Sequence, residues 1–554
     1  MFAAAVPFMV LLLLLAAAAG MVMGMVPAED GPPVWPAPRR YVDAHGKAAC
    51  DLGDVGKARV AFGKATQAED RFLRAAWARF LDDVGADDEG EMSAGETTTE
   101  VSIDVADTSM PDAWPAGVDE AYSLAVCKQG TPAVEIHANT LVGAVRALTT
   151  LAQITHRRAD FGQPGARFVV ENTPVQVEDA PRFQHRGLLM DTARHFQSVK
   201  SILALVDAMA YVKANVLHWH IVDSQSFPYA SMRRPQLASN GAYSKGEVYT
   251  PSDVRRVRRA AFARGVRVVM EVDTPGHAES WCDGEPSICP NSTCRTPLRP
   301  DKNATFDVVR DVLLDLAVDA PDAYFHLGGD EVVKKCWTEV PEVAAWLDAR
   351  GWLATPDKAY EYFVARVHEI ATTPPLSRVA VVWEEVWNHF GDALDRDSVI
   401  VHAWLEHSKA LANATSQGYR ALFSDSSVWY LDHLKVSWQT MYDAEPCANV
   451  DGGPDGEICA SYVLGGEACM WGETVDGGDL LSTVFPRFAA VAERLWSPHG
   501  GPSAAYQGER MARLRCALLK KGVGSGARLC EADGQCGRAT PRSAEYYSGS
   551  CWDV

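Results

Sequence analysis

Basic side chains are few in this chain and late to appear. Lys and Arg number 52 against 72 Asp and Glu, leaving a formal net charge of -20. That balance argues against nucleic acid or an anionic membrane surface as the main partner. No Lys or Arg precedes the apolar stretch from Phe2 to Val26, and the first charged side chain is Glu29. No later segment is long and apolar enough to cross a membrane. None of the 13 cysteines forms the C-x2-C pair of a zinc site. No Gly-rich phosphate turn follows any strand-like run, which removes the main support for a dinucleotide-binding open sheet.

What is present points to the secretory route. Residues 1–26 read as a signal peptide with small-residue cleavage near Ala19 or Gly20, or as an uncleaved signal anchor, in which case alone a membrane is a partner. The cysteines suit an oxidising compartment. Glycosylation sequons stand at Asn291, Asn303 and Asn413. A lysosome, a vacuole or the extracellular space all fit. The expected disulfides join Cys336 to a cysteine of the Cys282–Cys294 loop, with Cys289 and Cys294 as candidates, and Cys516 to Cys530. Cys469 lies in an apolar run and reads as a buried free thiol.

Residues 27–180 read as a smaller α+β domain without a catalytic constellation. Its expected helices cover Ala61 to Val84 and Thr140 to Arg157, with strands over Val101 to Val105 and Ala121 to Val126 and an acidic loop over Gly85 to Thr99. From 181 to 530 the pattern changes, and 531–554 reads as a tail. Eight apolar strand-like runs begin near Arg186, Asn215, Val266, Ala323, Val379, Val399, Ala421 and Val463. Helical patterns separate most of them, such as Ser198 to Lys213 and Pro251 to Arg264. Eight β/α alternations over this length predict a (β/α)8 barrel, with the site at the C-terminal ends of the strands. Those ends carry Asp191, Asp223, Asp273, Asp330, Glu331, Trp383, Glu384, Glu385, Trp404, Tyr430, Asp432, Trp471 and Glu473. An acidic pocket lined with tryptophan suits sugars, whose apolar ring faces stack on indoles and whose hydroxyls need polar partners.

The stretch His326 to Glu331 stands at the centre. Two glycines allow a tight turn, and two adjacent carboxylates follow. Extended backbone would send Asp330 and Glu331 in different directions. Like charges so close should raise the pKa of at least one, which helps make a proton donor. The plainer alternative is a solvated Asp-Glu pair at a helix start.

The segment from about Pro181 to Cys530 resembles the β-N-acetylhexosaminidases of glycoside hydrolase family 20, in the lysosomal or vacuolar branch. FQHRGLLMDTARHF, NVLHWHIVDSQSFP, VRVVMEVDTPGHAESW, FHLGGDEV, VVWEEVW, HAW, SVWYLD and GGEACMWGE carry the resemblance. It implies removal of terminal N-acetylhexosamine by a retaining mechanism in which the substrate's acetamido oxygen is the nucleophile. Glu331 then matches the general acid and base, Asp330 the carboxylate on the acetamido N–H, and Tyr430 the hydroxyl on its carbonyl oxygen. Trp383, Trp404 and Trp471 match the enclosing indoles. Arg186 matches the arginine on O3 and O4, Glu473 the carboxylate on O4, and Asp432 the contact to O6, where it would repel a 6-sulfate. Asp223 and His277 match the pair behind the acid. Ser224 departs from the second Asp many members carry. The resemblance implies a glycan partner, no cofactor, and a homodimer as a possible assembly.

Two other functions compete. His218-Trp219-His220 before Asp223 can be read as a metal-dependent hydrolase site, since residues two apart on a strand face the same way. No third-strand histidine is evident to complete it. A lectin-like glycan receptor on the same fold is the other.

Overall fold

The computed structural model describes residues 32–525, apart from 48, 64–65, 87–98, 131, 159–166, 502–503 and 505–506. The N-terminal leader, most of the acidic loop, Cys530 and the tail lie outside the described residues.

Nine strands come first: β1 Arg40–Val42, β2 Cys50–Gly53, β3 Arg59–Phe62, β4 Glu100–Asp107, β5 Tyr122–Val126, β6 Val134–Thr140, β7 Thr155–Arg158, β8 Arg167–Val170 and β9 Val175–Asp179. Six make one sheet in the order β1-β9-β5-β6-β4-β3, and the other three make a second, β2-β8-β7. Two helices, α1 Gln67–Val84 and α2 Leu141–Ile154, cover the six-stranded sheet. The helix expected from Ala61 begins later, because Thr66 and Glu69 form a reciprocal capping box there. The helix expected to reach Arg157 ends at Ile154, and Thr155 starts a strand paired with β8.

Eight further strands close into a barrel in chain order: β10 His185–Asp191, β11 Val216–Val222, β12 Arg267–Val272, β13 Tyr324–His326, β14 Val379–Trp383, β15 Val399–Ala403, β16 Arg420–Phe423 and β17 Val463–Met470. Every neighbouring pair is parallel. The eight run-and-helix alternations therefore form the expected (β/α)8 barrel. These strands are covered on both faces, which is why they read as continuous apolar runs rather than alternating ones. The helices between them are capped locally. Ser198 accepts from Ser201 N at the start of α3 Val199–Tyr211. Thr250 and Asp253 form a capping box, with proline at the first turn, on α4 Pro251–Phe262.

The barrel interior departs from the usual layers of branched aliphatics. His185, His218, His220, Glu271, His326, His402 and Glu467 are all buried inside it. Buried ionisable groups need partners, and these partner one another. His185 Nε2 lies 2.5 Å from Glu467 Oε1 and His218 Nδ1 lies 2.7 Å from Glu467 Oε2.

A second set of buried charges joins the barrel floor to the N-terminal sheet. Glu120 receives Arg186 Nη2 at 2.7 Å and Arg146 Nε at 2.7 Å. Asp179, at the end of β9, receives Lys213 Nζ at 2.8 Å and Trp496 Nε1 at 3.0 Å.

Disulfides join Cys50–Cys127, Cys282–Cys289, Cys294–Cys336 and Cys447–Cys459. Cys294–Cys336 is the expected tie between the loop after β12 and the segment past the Asp330–Glu331 turn. Cys516 is disulfide-bonded as well. Among the described residues Cys469 is the free thiol, and it is buried as expected. Asn291, Asn303 and Asn413 are all exposed. Among the described residues no helix is long and apolar enough to cross a membrane.

Candidate active site

The turn after β13 is built by backbone that side chains resist. Gly328 and Gly329 have φ of 64° and 99°, and Glu331 itself has φ of 49°. A Cβ on Gly328 would collide with Asp273, and one on Gly329 would stand 2.5 Å from Val386 Cγ2. Only glycine fits there. The strand expected to run to Glu331 stops at His326, so left-handed backbone, rather than strand alternation, separates the two carboxylates. Asp330 is buried at 8% exposure, while the Glu331 side chain is 60% exposed.

Their environments differ accordingly. Burial pushes the Asp330 carboxyl up. A hydrogen bond from His277 holds Glu331 below its usual value. The expected rise therefore falls on Asp330, because Glu331 faces a cation rather than only its neighbour. Burial opposes charge on His277, but hydrogen bonds to Asp223 and Glu331 outweigh it and push its pKa up to about 12. Its φ of 47° aims the ring between β11 and the turn, with Nδ1 3.2 Å from Asp223 Oδ1 and Nε2 3.5 Å from Glu331 Oε2. Asp273, at the end of β12, accepts Gly329 N at 2.7 Å. Burial, then the charge of Asp330, pushes Asp273 well above the carboxylate range. Burial and the neighbouring charge therefore favour the protonated form of Asp273 beside Asp330.

The pocket wall is aromatic. Trp383 lies 6.5 Å from Trp404 and 6.1 Å from Trp471, ring centre to ring centre, and Tyr430 stacks on Trp404 at 6.2 Å. Carboxylates fix the indoles: Trp383 Nε1 donates to Glu271 at 2.9 Å and Trp404 Nε1 to Glu385 at 2.9 Å. Asp432 and Glu473 stand at the rim past β16 and β17. Burial lifts Asp432 to about 6. On the other side of Glu331 a cavity of about 460 Å³ opens between Val333, Lys334, Tyr360, Glu385 and His389.

The structure gathers the predicted residues with one correction. Arg186 does not reach the pocket. It lies near the N-terminal start of β10, fully buried, bound to Glu120 and to the carbonyls of Phe183 and Lys213. Arg194 occupies the position expected of it. It pairs with Asp191 at 3.0 Å and Asp223 at 2.9 Å, stands 3.8 Å from Glu473, and lies over the Trp471 ring at 5.1 Å. The signal was available: Arg194 follows the end of β10, whereas Arg186 precedes its middle, and only strand ends reach the site.

The premise against the metal reading also changes. His326 of β13 and His402 of β15 do stand beside His218. Their nitrogens are committed elsewhere. His218 and His326 stack face to face at 4.5 Å, His326 Nδ1 accepts Gly328 N at 3.1 Å, and His402 Nε2 lies 2.7 Å from Ser424 Oγ. One nitrogen of each ring lies within 4.8 Å of the others, but His326 Nε2 and His402 Nδ1 already face each other at 3.3 Å and His218 Nε2 lies 2.9 Å from Glu271 Oε2, so these contacts account for the cluster without a metal.

The catalytic-domain signature of glycosyl hydrolase family 20 matches residues 183–499. The chain belongs to glycosyl hydrolase family 20. Residues 34–154 match a second signature, described as beta-acetyl hexosaminidase like. Beta-hexosaminidase 1 of Arabidopsis thaliana is 41% identical over 74% of this chain and 74% of its own length. Beta-hexosaminidase subunit beta of Mus musculus is 38% identical over 73% of this chain and 74% of its own. Among solved family 20 structures, the Flavobacterium johnsoniae chitobiase superposes with a TM-score of 0.73 at 26% identity, covering 89% of this chain and 73% of that one. The exo beta-N-acetylglucosaminidase of Vibrio harveyi shares the fold at a TM-score of 0.75 and 21% identity, over 91% of this chain and 79% of that one.

Proposed function

We propose that the chain hydrolyses terminal non-reducing β-N-acetylhexosaminides with retention, using the substrate's acetamido oxygen as nucleophile. The observation that carries this reading is the placing of adjacent carboxylates on a left-handed turn. One is buried beside Asp273, and the other is exposed beside a histidine. A conventional retaining enzyme needs two carboxyl groups across the glycosidic bond, ~5–5.5 Å apart. Neighbours on one turn instead suit one group at the leaving oxygen and one at the acetamide.

In the first step the acetamido oxygen attacks C1, the bond from C1 to the leaving oxygen breaks, and that oxygen takes the proton of Glu331. Asp330 accepts the acetamido N–H and balances the positive charge of the oxazolinium ring. The indoles of Trp383, Trp404 and Trp471 press the acetamido group beneath C1, and Tyr430 donates to its oxygen. Fixed placement makes the attack effectively intramolecular. In the second step Glu331 takes a proton from water, whose oxygen attacks C1 and reopens the ring. Arg194 and Glu473 serve the O3 and O4 hydroxyls, and Asp432 serves O6.

The free site holds Glu331 low and Asp330 high, the reverse of what the first step needs. A bound sugar corrects both. It excludes water from the exposed Glu331 and so raises it. The positive charge growing on the acetamide favours ionised Asp330, which the neutral Asp273 steadies with a hydrogen bond.

The leader, the exposed sequon asparagines and the disulfides support a secretory chain working in a lysosome, a vacuole or outside the cell. Kinetics test the mechanism. A chromogenic N-acetylglucosaminide should turn over, the matching glucoside hardly at all, and a thiazoline analogue should inhibit strongly. A glycosyl ester trapped on any Asp or Glu would defeat the account.

A further inference from the structure

Glu271 sits in the middle of the barrel, fully buried, below the pocket and outside direct reach of it. Its two oxygens face two different parts of the site. Oε1 accepts Trp383 Nε1 at 2.9 Å. Oε2 accepts His220 Nδ1 at 2.7 Å, and His218 Nε2 lies 2.9 Å from the same atom. From His220 the contacts continue upward. His220 Nε2 donates to Asp223 Oδ2 at 2.8 Å, Asp223 Oδ1 receives His277 Nδ1 at 3.2 Å, and His277 Nε2 stands 3.5 Å from Glu331 Oε2. Both His220 nitrogens face carboxylate oxygens, so the ring must carry both protons to satisfy them.

We propose that Glu271 is a positioning residue for hydrolysis: one buried carboxylate holds both the indole of Trp383 in the pocket wall and the His220–Asp223–His277 chain that ends at Glu331. The acetamide clamp and the acid are thereby set by one group, so a change at Glu271 moves both. This inference rests on the substrate-assisted reading above, because only there do the Trp383 wall and Glu331 act on the same step. The titratable groups that face Glu271 are His218 and His220 from β11, His326 from β13 at 3.2 Å, which burial holds low, Asp273 two residues further along at the end of β12, and Asp330 from the turn. Glu467 of β17 reaches it through His218.

Glu467 is the natural control. It is equally buried, is also a carboxylate, and shares His218, but it pairs with His185 and His218 rather than with Trp383 or His220. Glu271→Gln keeps the shape of the side chain. Its amide nitrogen cannot accept, so if it faces Trp383 the indole link is lost, and if it faces His220 the ring must give up its Nδ1 proton and with it the charge that binds Asp223. The expected result is a folded enzyme whose kcat on an unactivated glycan falls roughly 10²-fold, the scale of a slight misplacement of reacting groups. KM should change less than kcat, and thiazoline affinity should fall with kcat. The acidic limb of the pH–rate profile should move down, because the charge of Glu271 helps hold Asp330 up. Glu467→Gln should keep the wild-type profile and inhibitor affinity per folded molecule, with folding read by near-ultraviolet circular dichroism.

His220→Gln decides the matter if Glu271→Gln does not accumulate folded. It cuts the chain to Asp223 and leaves Trp383 held, although it removes the edge contact of the ring to Trp471 at 5.1 Å, so kcat and the pH profile should move and thiazoline affinity should fall less than in Glu271→Gln. Wild-type kcat and pH profile in either folded variant would overturn the proposal, as would a Glu467→Gln enzyme with the same defects. A wild-type chain with no turnover of N-acetylglucosaminides would instead remove the functional reading beneath it.

Discussion

Two clusters of buried charge sit at opposite ends of the barrel, and they are built to opposite ends. At the floor, Glu120 binds Arg186 and Arg146, and Asp179 binds Lys213, with side-chain exposures of 1% or less throughout. Each carboxylate there meets cations at close range, and none is open to solvent. At the top, Asp223, His277, Asp330 and Glu331 also pair, but the cluster leaks. Glu331 is exposed, and contacts of His277 to Asp330 and Glu331 are loose at 3.6 and 3.5 Å. Closed pairing at the floor leaves nothing for a substrate to bind, so it locks the N-terminal sheet to the barrel. Looser pairing at the top leaves groups free to exchange partners during a reaction. The contrast separates structural from catalytic charge without reference to residue type, since both ends use Arg and carboxylates.

The largest effect should come from the exposed member of the top cluster. Glu331→Gln should fold normally and lose ~10²–10⁴-fold in kcat on glycans with poor leaving groups, the usual scale of general acid catalysis. On an activated aryl glycoside the loss should shrink, because that leaving group needs little protonation. Equal losses on both would sink the acid assignment.

The two arginines give a sharper break. Arg186→Met leaves Glu120 buried with one cation fewer, and breaking such a pair costs roughly 3–5 kcal/mol. The variant should unfold earlier or accumulate poorly, and whatever folds should keep near-normal kcat. Arg194→Met should also lower the thermal midpoint, because it leaves the buried carboxylates of Asp191 and Asp223 short of a cation, but unlike Arg186→Met its folded fraction should show a large fall in kcat/KM, since Arg194 lies over the Trp471 ring. Thermal unfolding and kinetics on both variants check this. If Arg186→Met is a stable, inactive enzyme, the division between floor and top is wrong.

That pair also shows what the sequence could reveal. The barrel was legible because parallel strands covered on both faces read as apolar runs ending in polar residues, and Asp223, Trp383, Trp404 and Trp471 followed from those ends. Arg186 and Arg194 lie in the same motif, and only the end of β10 that each occupies separates the floor residue from the site residue. The left-handed turn at Glu331 was not legible, because non-glycine residues seldom adopt it and nothing in the side chain announces it. The buried network through Glu271 and His220 was hidden too. Single polar residues inside apolar runs, on strands far apart in sequence, become neighbours only when the barrel closes.

The smallest effect concerns pH and again divides the two ends. His277 is pushed up to about 12, against ~6.5 when unfolded. A raised histidine contributes stability fully below the unfolded value, and loses it as pH rises toward the folded one. Burial, then the Asp330 charge, lifts Glu385 to about 7, and burial lifts Asp432 to about 6, each above the ~4 of an unfolded carboxylate. The unfolded chain gives up these protons first, so folding is penalised as pH rises from about 4 to 7. All three groups favour the acid side. Glu120 at the floor runs the other way. Burial alone would raise it, but the charges of Arg186 and Arg146 hold it low, so its contribution is lost only as pH falls below the range of an unfolded carboxylate. Between pH 5 and 8 Glu120 is therefore silent, while the raised groups of the top lose stability with rising pH and the histidines that burial holds low, such as His185, His326 and His402, gain it. The thermal midpoint should be higher at pH 5 than at pH 8, by roughly 1–3 °C for each kcal/mol involved in a chain of this size. The double variant His277→Gln, Glu385→Gln should flatten that slope, although the net charge of -20 is nearly unchanged and general repulsion still grows with pH. A slope that the double variant leaves intact would place the titrating groups somewhere other than the top of the barrel.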